Sequence, residues 1–579
     1  MHYTIYFENA NHHYVNIDFE LDTKGSETLV FHLPAWRPGR YELGNFAKNI
    51  QKWAAYDEKG QPLIHQKLTK DSWKVQCKGA KAILIKYNYY AAELNAGSTY
   101  LDENQLYINP VNCLLYVNER MLETCTIELK LPSNYRVATG MKKVKENGDR
   151  VILTAADFHE LADSPLIASD TLQHNQFVLD GIEFNIWLQG ECKPNWAKII
   201  CDFFIFINEH FVMMKEFPVQ EYHFLFQLTP YAYYHGVEHL TSTAIVLGPG
   251  NEFVNKDWYD EFLGISSHEL FHTWNIKSIR PVEMMPYDYS KENYSRLGFV
   301  AEGVTTYYGD FLLYRSGVFS DADYFKTFNE QLQKHFDNFG RFNLSVADSS
   351  FDTWLDGYNP GVPNRKVSIY TEGCLIAFMT DICIRKQTAN AHSLDDVMRA
   401  LFTEFGKKKI GYSENDYQAL IERISGNSWK DFFAAFVYGT ESFENTIREC
   451  LDYVGLELEI QPSKKYHEAK LGFKVVEDGI LSRVSALYPG SLADKAGVSL
   501  NDKIVAINGI EVFDNMDTWA NFYSQQQIKL TVIENKKFKE IILNPKKEIF
   551  YQKYSIKRKS DSSEEQRKNF TAWAGRNHV

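Results

Sequence analysis

A metal-ligating pattern is the clearest chemical feature of the sequence. The motif HExxH lies in the segment Ser266–Trp274, an apolar stretch of helical character. At 3.6 residues per turn, His268 and His272 share one helix face, where both imidazoles can bind one ion. Glu269 is adjacent to the first histidine and can reach a water molecule without binding the ion itself. The pattern is typical of a catalytic zinc site; the alternative is two structural helix histidines beside a solvated glutamate.

A catalytic zinc ion needs three protein ligands and an open position, and Glu302 is the best candidate for the third ligand. It is the single acid of the apolar helical stretch Gly298–Tyr308. Burial of an unpaired carboxylate is costly, whereas a zinc dication makes it favourable; the alternative is an exposed helix acid. Thr306, one turn later, is a candidate to orient the carboxylate. Weaker ligand candidates, in polar and loop-like surroundings, are Glu283, Asp288 and Glu292.

These residues predict hydrolysis by an activated water molecule. Zinc lowers the pKa of water from 15.7 towards ~7, and Glu269 takes the proton as the water attacks a polarised carbonyl. The developing oxyanion then needs a second electrophile. Tyr370, in the segment Val367–Gly373, is the candidate, although in isolation it would be an aromatic residue at a helix start.

Composition and charge exclude several classes of protein. At ~150 residues per domain, the 579 residues predict about four folding units. With 44% hydrophobic and 24% charged residues, the chain is neither disordered nor a coiled coil. The net charge of −13 argues against a nucleic-acid partner. The eight cysteines form no CxxC pair, so neither a thiolate zinc site nor a disulfide framework is indicated.

The sequence gives no sign of a membrane span or a signal peptide. The longest apolar run, Cys201–Met214, is broken by polar residues and falls short of the ~20 residues that a span requires. The opening MHYTIYFEN is typical of a strand and lacks the parts of a signal peptide. We therefore expect a cytoplasmic protein without a membrane span.

Hydrophobic periodicity divides the chain into regions. Up to about residue 170, segments such as Val15–Leu21 and Ile127–Leu131 alternate apolar and polar residues, which predicts an antiparallel β-sandwich. Trp196–Met214 predicts a buried helix, and helical periodicity then dominates from about 255 to 460. Short strands and glycines return after residue 465, before a tail rich in Lys and Arg whose last helix is predicted at Ser563–Ala574.

The stretches HELFHTWNIKSIRP and GFVAEGVTTYYGD resemble the glycyl aminopeptidase family, gluzincin metallopeptidases that carry a PDZ domain. The likeness continues in Pro34–Tyr41 (PAWRPGRY), similar to that family's N-terminal signature, in Gly497–Gly509, similar to a PDZ module, and in the closing helix at Glu564–Trp573. It covers essentially the whole chain and implies a multidomain α+β fold. The implied parts are an N-terminal antiparallel β-domain (1–170), a mostly α-helical gluzincin catalytic domain (171–460), a PDZ domain (461–545) and a basic tail with a short helix (546–579).

The resemblance also implies roles for the candidate residues. His268, His272 and Glu302 would bind one Zn²⁺ per chain, with Glu269 as general base. Tyr370 matches the tyrosine of the YxKG pattern shared with aminopeptidase N, which assists the oxyanion. In this chain Glu372 replaces the lysine of that pattern, so the contribution of that lysine is open.

A second implied element is the loop that holds the substrate amine. Gly236-Val237-Glu238-His239 resembles the family's GGxEH segment, the counterpart of the GxMEN exopeptidase loop. The resemblance implies that Glu238 pairs with a free α-ammonium and that Gly236 belongs to the same substrate-binding loop; without it, Glu238 would be a plain surface acid. His235 stands at the family's first glycine position, so the shape of the loop is open.

The PDZ resemblance implies a peptide site. The backbone N–H groups of Leu471, Gly472 and Phe473 would bind a C-terminal carboxylate while the peptide adds a strand. The alternative is a small β-domain used for packing or oligomer contact. The basic tail is expected to be a solvated surface.

The sequence therefore predicts a zinc aminopeptidase that hydrolyses peptides from a free N-terminus and, by resemblance, favours small residues such as Gly or Ala. One alternative is a zinc endopeptidase whose PDZ domain delivers protein C-termini. The other is a peptide-binding scaffold with an inactive peptidase domain. Peptides and protein C-termini are the expected partners, and a homo-oligomer is left open.

Overall fold

The structure is a computed structural model that describes residues 1–359, 361–477, 479 and 481–576. Its contacts divide the chain into two compact units. The first unit consists of Met1–Tyr324, Phe339–Thr446 and the chain from Arg567 onwards, and the second of Phe325–Asn338 and Ile447–Gln566. Among the described helices, none combines the length and the apolar character that crossing a membrane requires.

The first unit begins with a β-rich region. Its strands are β1 (His2–Tyr6), β2 (Tyr14–Asp22), β3 (Thr28–His32), β4 (Ile50–Asp57), β5 (His65–Thr69), β6 (Ser72–Gln76), β7 (Ala82–Tyr90), β8 (Tyr100–Leu101), β9 (Leu106–Ile108), β10 (Cys125–Lys130), β11 (Arg136–Thr139), β12 (Lys142–Asn147), β13 (Arg150–Ala155) and β14 (Leu166–Ser169). Two short helices accompany them, α1 (Pro110–Cys113) and α2 (Phe158–Ala162).

These strands form sheets of seven, four and three strands. The orders are β12-β13-β10-β1-β2-β7-β4, then β11-β14-β9-β8, then β3-β6-β5. The alternation in Val15–Leu21 predicts one buried and one wet face, and β2 has that burial pattern. One pair differs from the expected antiparallel arrangement, because β1 and β10 run parallel. The long connection between them makes a parallel crossover possible, whereas a tight hairpin does not.

The rest of the first unit is a small sheet followed by helices. Its strands are β15 (Gln173–Leu179), β16 (Ile182–Gln189), β17 (Glu221–Leu228), β18 (Tyr233–Glu238) and β19 (Ser242–Gly248). Its helices are α3 (Trp196–Met214), α4 (Lys256–Phe271), α5 (Thr305–Ser316), α6 (Asp321–Asp337), α7 (Val346–Phe351), α8 (Thr353–Asp356), α9 (Ile369–Gln387), α10 (Leu394–Glu404), α11 (Glu414–Ser425), α12 (Lys430–Phe432) and α13 (Glu444–Tyr453), of which α6 and α13 continue into the second unit.

The edge strand of this sheet, β18, contributes a residue to the candidate site. The sheet has the order β15-β16-β17-β19-β18, with β16, β17 and β19 parallel and β18 antiparallel at the end. Strand β18 ends at Glu238. Helix α4 packs against this edge of the sheet. An acid at the end of an edge strand therefore lies beside the helix that carries HExxH.

Glycines allow the helices that carry the site to approach closely. A Cβ atom at Gly309 of α5 would lie 3.2 Å from the Cα of His268 in α4. Phe299–Val304 forms a π-helical turn that runs directly into α5, and such turns are frequent at functional sites. A Cβ at Gly303 in this turn would overlap the backbone of Gly373 in α9. The turn that carries Glu302 thus rests directly on the first turns of α9.

Replacing Gly303 by Ala is therefore expected to destabilise the protein by at least about 1–3 kcal/mol, since overpacking forces backbone shifts. The decrease in melting temperature measures this. The matched control is Gly264→Ala in α4, where a Cβ meets one atom, in Asp310, at an ordinary 3.6 Å. Alanine has the higher helix propensity, so the control should be neutral or slightly stabilising. Equal melting temperatures for Gly303→Ala and wild type would contradict the close packing.

The tail helix, α16 (Glu564–Ala574), differs from the solvated surface expected for the tail. Trp573 is 1% exposed, and its indole N–H donates to the Tyr307 hydroxyl at 3.0 Å. Its ring also stacks on Phe311 of α5 at a centroid distance of 4.9 Å. Trp573 of the tail helix is therefore part of the first unit's core.

The second unit contains the PDZ-like region. Its strands are β20 (Leu456–Pro462), β21 (Phe473–Glu477), β22 (Ser482–Leu487), β23 (Lys503–Ile507), β24 (Ile510–Glu511), β25 (Ile528–Glu534), β26 (Lys537–Leu543) and β27 (Gln552–Arg558), and its short helices are α14 (Leu492–Ala496) and α15 (Met516–Phe522). The main sheet has the order β21-β22-β23-β25-β26, with β24 paired to β23. Strands β20 and β27 form a separate antiparallel pair.

Candidate metal centre

The structure brings His268, His272 and Glu302 together. One ligand atom from each lies within 4.8 Å of the others. The Nε2 atoms of the two histidines are 3.1 Å apart, and Nε2 of His272 is 3.5 Å from Oε2 of Glu302. The two rings are nearly perpendicular, at 82°. Two helix-borne imidazoles and a carboxylate from a distant segment thus converge on one point.

These distances fit a tetrahedral metal ion. Donors that each lie ~2.1 Å from an ion in a tetrahedron are roughly 3.4 Å from one another. The two separations above bracket that value. Two nitrogens and one oxygen are also the donor set of many catalytic zinc sites, which keep a fourth position open. The residues present therefore suit a divalent ion such as zinc.

Hydrogen bonds prepare His272 for metal binding. Its Nδ1–H donates to the backbone carbonyl of Asn275 at 2.6 Å, which leaves Nε2 free as a ligand. The side-chain amide of Asn275 donates in turn to the carbonyl of Val300 at 2.8 Å and to the Thr305 hydroxyl at 3.1 Å. The turn after α4 is thereby tied to the turn that carries Glu302.

A tyrosine from the N-terminal region orients the third candidate ligand. The hydroxyl of Tyr41 donates to Oε1 of Glu302 at 2.8 Å, which leaves Oε2 directed at the histidines. Both residues are buried, at 4% and 2% exposure. The prediction that Thr306 orients this carboxylate is wrong. Its hydroxyl donates to the backbone carbonyl of Glu302 at 2.8 Å, the local bond that threonine commonly makes inside a helix.

Burial and charge set the protonation of the two histidines. Burial lowers the pKa of His268 well below its ordinary value, and the charge of His272 adds to this effect. Burial also lowers the pKa of His272, but the hydrogen bond and charge of Glu302 outweigh it and raise the pKa to about 9. His268 is thus a neutral ligand, whereas His272 releases a proton when a metal ion binds.

A second cluster overlaps the first. Ligand atoms of Glu238, Glu269 and His272 also lie within 4.8 Å of one another. Oε2 of Glu269 is buried and has no hydrogen-bond partner among the described residues. Burial raises the pKa of Glu269. The charge of His272 lowers this pKa, whereas the charges of Glu238 and Glu302 raise it. A carboxyl of this kind can take a proton from a water molecule close to the metal position.

Gly236 explains how the edge strand comes so close to Glu269. A Cβ at Gly236 would overlap the carboxylate of Glu269. A side chain at this position would displace the carboxylate of Glu269. Glu238, two residues later on the same strand, is 5% exposed, and its carboxylate makes no hydrogen bond or ion pair with the described residues. Both residues predicted for the substrate-binding loop thus lie beside the candidate base.

The segment Pro34–Tyr41 reaches the same place from the N-terminal region. A Cβ at Gly39 would lie 2.5 Å from Oε2 of Glu238, and the φ of Gly39 is +81°. The guanidinium of Arg37 donates to Nε2 of His235 at 3.4 Å. Burial, and then the charge of Arg37, lowers the pKa of His235, so this histidine is a neutral acceptor. His235, which departs from the family's glycine, therefore contacts an arginine of the signature segment.

Tyr370 lies at the start of α9, beside Glu302. Burial, followed by the charge of Glu302, raises its pKa well above the ordinary value, so its hydroxyl keeps its proton. The charges of Tyr358 and Tyr370 affect each other, and burial raises the pKa of Tyr358 to about 12. Two tyrosine hydroxyls thus lie near the candidate metal position as donors. Glu372 is 2% exposed within α9.

A buried ion pair supports the loop that follows the metal ligands. Nζ of Lys277 lies 2.5 Å from Oδ1 of Asp163, which His239 also contacts at 3.2 Å. Oδ2 of Asp163 accepts from the backbone N–H of Leu240 at 2.9 Å. Burial raises the pKa of Asp163, but Lys277 and His239 outweigh it and hold that pKa below its ordinary value. This carboxylate links the N-terminal region, the segment after α4 and the end of β18.

Replacing Asp163 by Asn should cost about 3–5 kcal/mol at pH 7, because Lys277 is left as a buried unpaired charge. A depressed carboxyl pKa stabilises the folded state fully above the unfolded pKa of ~3.9, and the effect is lost as pH falls below it. The melting temperatures of wild type and Asp163→Asn should therefore differ less at pH 3.5 than at pH 7.

The matched control is Asp18→Asn, which breaks the partly exposed pair with Lys86. Exposed pairs contribute about 0–1 kcal/mol, so the control should stay near wild type at both pH values. An Asp163→Asn variant that behaves in the same way would contradict a structural role for the pair.

The structure does not favour the predicted role of Gly472. Its N–H donates to the carbonyl of His467 at 2.9 Å, so it is not free to bind a carboxylate. Its carbonyl accepts from the N–H of Tyr488 and from the Ser491 hydroxyl. Leu471 and Phe473 are fully buried in the core of the second unit. The carboxylate-binding role of this loop stays a prediction.

The structure places the weaker ligand candidates apart from the metal-ligand clusters. Glu283 accepts from the Ser295 hydroxyl at 3.1 Å, and Asp288 accepts from the backbone and side chain of Ser290. Neither they nor Glu292 belong to a group of described residues that could hold an ion. Their polar, loop-like surroundings are what the sequence indicated.

Sequence reasoning missed Tyr41, Arg37, Tyr358 and Asn275 as residues of the site. The first two lie in PAWRPGRY, where an arginine and a tyrosine flanking a Pro-Gly turn were a usable signal. Tyr358 lies in a loop without a recognisable pattern, and Asn275 lies in the stretch HELFHTWNIKSIRP, which indicated the family but no role for this side chain. Their roles depend on contacts between segments far apart in the chain, such as Tyr41 and Glu302, whose positions differ by 261.

Comparisons with protein families agree with this geometry. Residues 2–170 match the peptidase M61 N-terminal domain, and residues 261–376 match the M61 glycyl aminopeptidase domain. Residues 483–534 match a PDZ domain, a range that does not include 471–473. No curated protein matches the chain by sequence.

The chain is similar to several solved structures, one of which shows the same fold. An aminopeptidase N family protein from Idiomarina loihiensis is 26% identical, covers 99% of both chains and has a TM-score of 0.92. Two structures of an M1 zinc metallopeptidase from Deinococcus radiodurans, one a mutant bound to a Tyr-ser-ala substrate, are each 13% identical. They cover 76% of this chain and 94% of their own, with TM-scores of 0.47 and 0.45.

The family matches agree with the predicted fold class, an N-terminal β-domain, a helical catalytic domain and a PDZ domain. The chain belongs to the M61 glycyl aminopeptidase family and is a zinc metallopeptidase.

Proposed function

We propose that this protein is a zinc-dependent aminopeptidase that removes N-terminal residues, with Gly and Ala favoured, from peptides. His268, His272 and Glu302 would hold one zinc ion per chain. The observation that carries the proposal is the overlap of this ligand set with the Glu238–Glu269 pair. A metal position, a candidate base and an unpaired acid at the end of an edge strand lie within a few ångströms of one another.

Each side chain has a step that its position supports. When bound, zinc would lower the pKa of water towards ~7 and polarise the scissile carbonyl. Glu269 takes the proton of the attacking water at its unpaired Oε2 and passes it to the leaving amine. The Tyr370 hydroxyl donates a hydrogen bond to the developing oxyanion. General acid–base catalysis of this kind typically contributes ~10²- to 10⁴-fold in rate.

Glu238 gives the reaction its exopeptidase character. Its carboxylate is buried and has no partner among the described residues, which is costly unless a cation from the substrate completes the pair. A free α-ammonium group supplies that cation. Because Glu238 lies close to Glu269, a substrate held by its amine presents its first peptide bond to the base.

The experiment compares alanine p-nitroanilide with its N-acetylated form. Loss of one member of a buried charge pair costs ~2–5 kcal/mol, so the free amine should be hydrolysed at least about 30-fold faster by kcat/KM. Glu238→Gln should remove most of this preference. The matched control is Glu191→Gln, which changes an exposed acid and should leave it intact.

Two other results would replace the proposal. Equal rates on the free and acetylated substrates would remove Glu238 from its role and favour a zinc endopeptidase. A protein without metal, or with metal and without peptidase activity, would favour a peptide-binding scaffold. The complete set of His268, His272, Glu302 and Glu269 argues against the scaffold, since an inactive site usually loses ligands.

A further inference from the structure

A cavity of about 620 Å³ in the N-terminal region has Arg37 in its wall. This volume lies in the range of small-molecule binding sites. Arg37 also belongs to the segment that touches Glu238 through Gly39. The wall of the cavity and the wall of the proposed amine site are therefore parts of one short turn, three residues long.

The guanidinium of Arg37 is buried without an acid. The residue is 4% exposed, and no carboxylate oxygen of the described residues lies within 4.0 Å of it. Its hydrogen bonds are two long ones, to the carbonyl of Pro38 at 3.3 Å and to His235 at 3.4 Å. A buried, unpaired cation costs several kcal/mol in proteins. An arginine in this state can therefore bind an anionic group of a ligand.

The residues around the Arg37 guanidinium leave space for it and do not neutralise its charge. A Cβ at Gly97 would overlap it, so glycine at this position leaves the space that the Arg37 guanidinium occupies. Neutral His235 can accept from Arg37 but cannot neutralise its charge. The other cation close by, Arg40, is already paired with Glu42. Lys48 also lines the cavity without an ion pair, but it is exposed. Arg37 is therefore the buried cation of the cavity wall that has no ion pair with the described residues.

The same cavity offers an unpaired acceptor. Asn112 is 1% exposed and lines the cavity, and its side-chain N–H₂ donates to the carbonyl of Gly97 at 2.7 Å. Its Oδ1 is buried and accepts no hydrogen bond from the described residues. A backbone N–H of a ligand can donate to this oxygen. A peptide has both groups that the cavity lacks, an N–H donor and a carboxylate.

We propose that Arg37 binds a carboxylate of the peptide substrate, so that the enzyme acts on di- and tripeptides held at both ends. This inference rests on the proposed function and deepens it. Glu238 and Arg37 carry opposite charges; Glu238 lies against Gly39 of the turn that contains Arg37, yet the two side chains form no ion pair within 4.0 Å. A short peptide carries the complementary charges, an ammonium group at one end and a carboxylate at the other. Arg37 is a positioning and specificity residue; it takes no part in proton transfer.

The test compares trialanine with trialanine amide, which differ in the terminal carboxylate alone. We expect wild-type enzyme to show a KM at least about 10-fold higher for the amide, with kcat unchanged. Arg37→Met should raise KM for trialanine to the KM that the same variant shows for the amide, so that the ratio of the two KM values falls to about one. Arg37→Lys keeps the charge without the two-pronged geometry and should fall between them. The matched control, Arg150→Met, removes an exposed arginine paired with Glu128 and should not change the ratio.

A binding measurement separates this inference from the proposed function. Calorimetric titration of the Glu269→Gln enzyme with both peptides gives the ratio of dissociation constants without turnover. Tighter binding of trialanine supports Arg37, whereas equal binding of both peptides overturns the inference and leaves the aminopeptidase proposal in place. Binding of neither peptide overturns both. If Arg37→Met keeps the wild-type ratio of dissociation constants for the two peptides, the assignment to this residue is overturned. If the variant fails to fold, the ratio measured with the Glu269→Gln enzyme alone tests the inference.

A third peptide distinguishes the source of the carboxylate. Ala-Ala-Glu amide carries its acid on a side chain and has no terminal carboxylate. Binding as tight as that of trialanine, lost in Arg37→Met, would assign Arg37 to acidic side chains of longer substrates. Binding as weak as that of trialanine amide assigns it to the peptide C-terminus.

Discussion

Replacing Glu269 by Gln is expected to lower kcat on alanine p-nitroanilide by about 10²- to 10⁴-fold, the contribution typical of a general base. The amide of Gln is nearly isosteric with the carboxylate but cannot accept a proton. Because Glu269 is not among the three candidate ligands, the variant should keep one equivalent of zinc. Steady-state kinetics together with metal analysis of the same preparation measure both quantities.

This pairing of measurements separates catalysis from assembly. A variant that loses both zinc and activity would make Glu269 a ligand or a structural residue instead of a base. Wild-type activity in a zinc-loaded variant would remove it from the reaction. The prediction rests on two observations, the burial of Glu269 and the absence of a hydrogen-bond partner for its Oε2 among the described residues.

Replacing Glu302 by Ala is expected to abolish activity by loss of the metal. The variant removes one of three protein ligands, so zinc affinity should fall by more than the ~10- to 100-fold that follows loss of a residue that supports a ligand. Tyr41→Phe tests that smaller effect directly, because it deletes the hydroxyl that donates to Glu302. Competition with a chromogenic chelator measures the affinities.

The control for Glu302 lies in the same part of the chain. Glu283 is an exposed acid in the segment between the two ligand-bearing helices. Its replacement by Ala should leave zinc affinity and activity at wild-type values. If Glu302→Ala bound zinc as tightly as Glu283→Ala, the third ligand would have to be sought elsewhere, and the acids nearest to His272 would be the first to test.

Local patterns in the sequence predict much of this structure. The apolar run Trp196–Met214 is α3 with the same bounds, and alternation in Val15–Leu21 gives the buried face of β2. HExxH places two imidazoles on one helix face because the spacing of four residues is close to one turn. These features depend on neighbours along the chain, which is why composition and period suffice.

Contacts between distant segments are what the sequence does not predict. Nothing local indicates that Tyr41 reaches Glu302, that β1 pairs in parallel with β10, or that Asp163 pairs with Lys277. The prediction for Thr306 fails for the opposite reason, since a local backbone hydrogen bond satisfies its hydroxyl. The burial of Trp573 in the tail helix could not be predicted either, because its contact partners lie in α5.

The most direct test of the metal centre is anomalous diffraction from crystals of the purified protein at the zinc absorption edge. We expect one strong peak per chain, about 2.0–2.2 Å from Nε2 of His268, Nε2 of His272 and a carboxylate oxygen of Glu302. A peak at any other group of side chains, or three ordered ligands with no peak after zinc is added, would contradict the account.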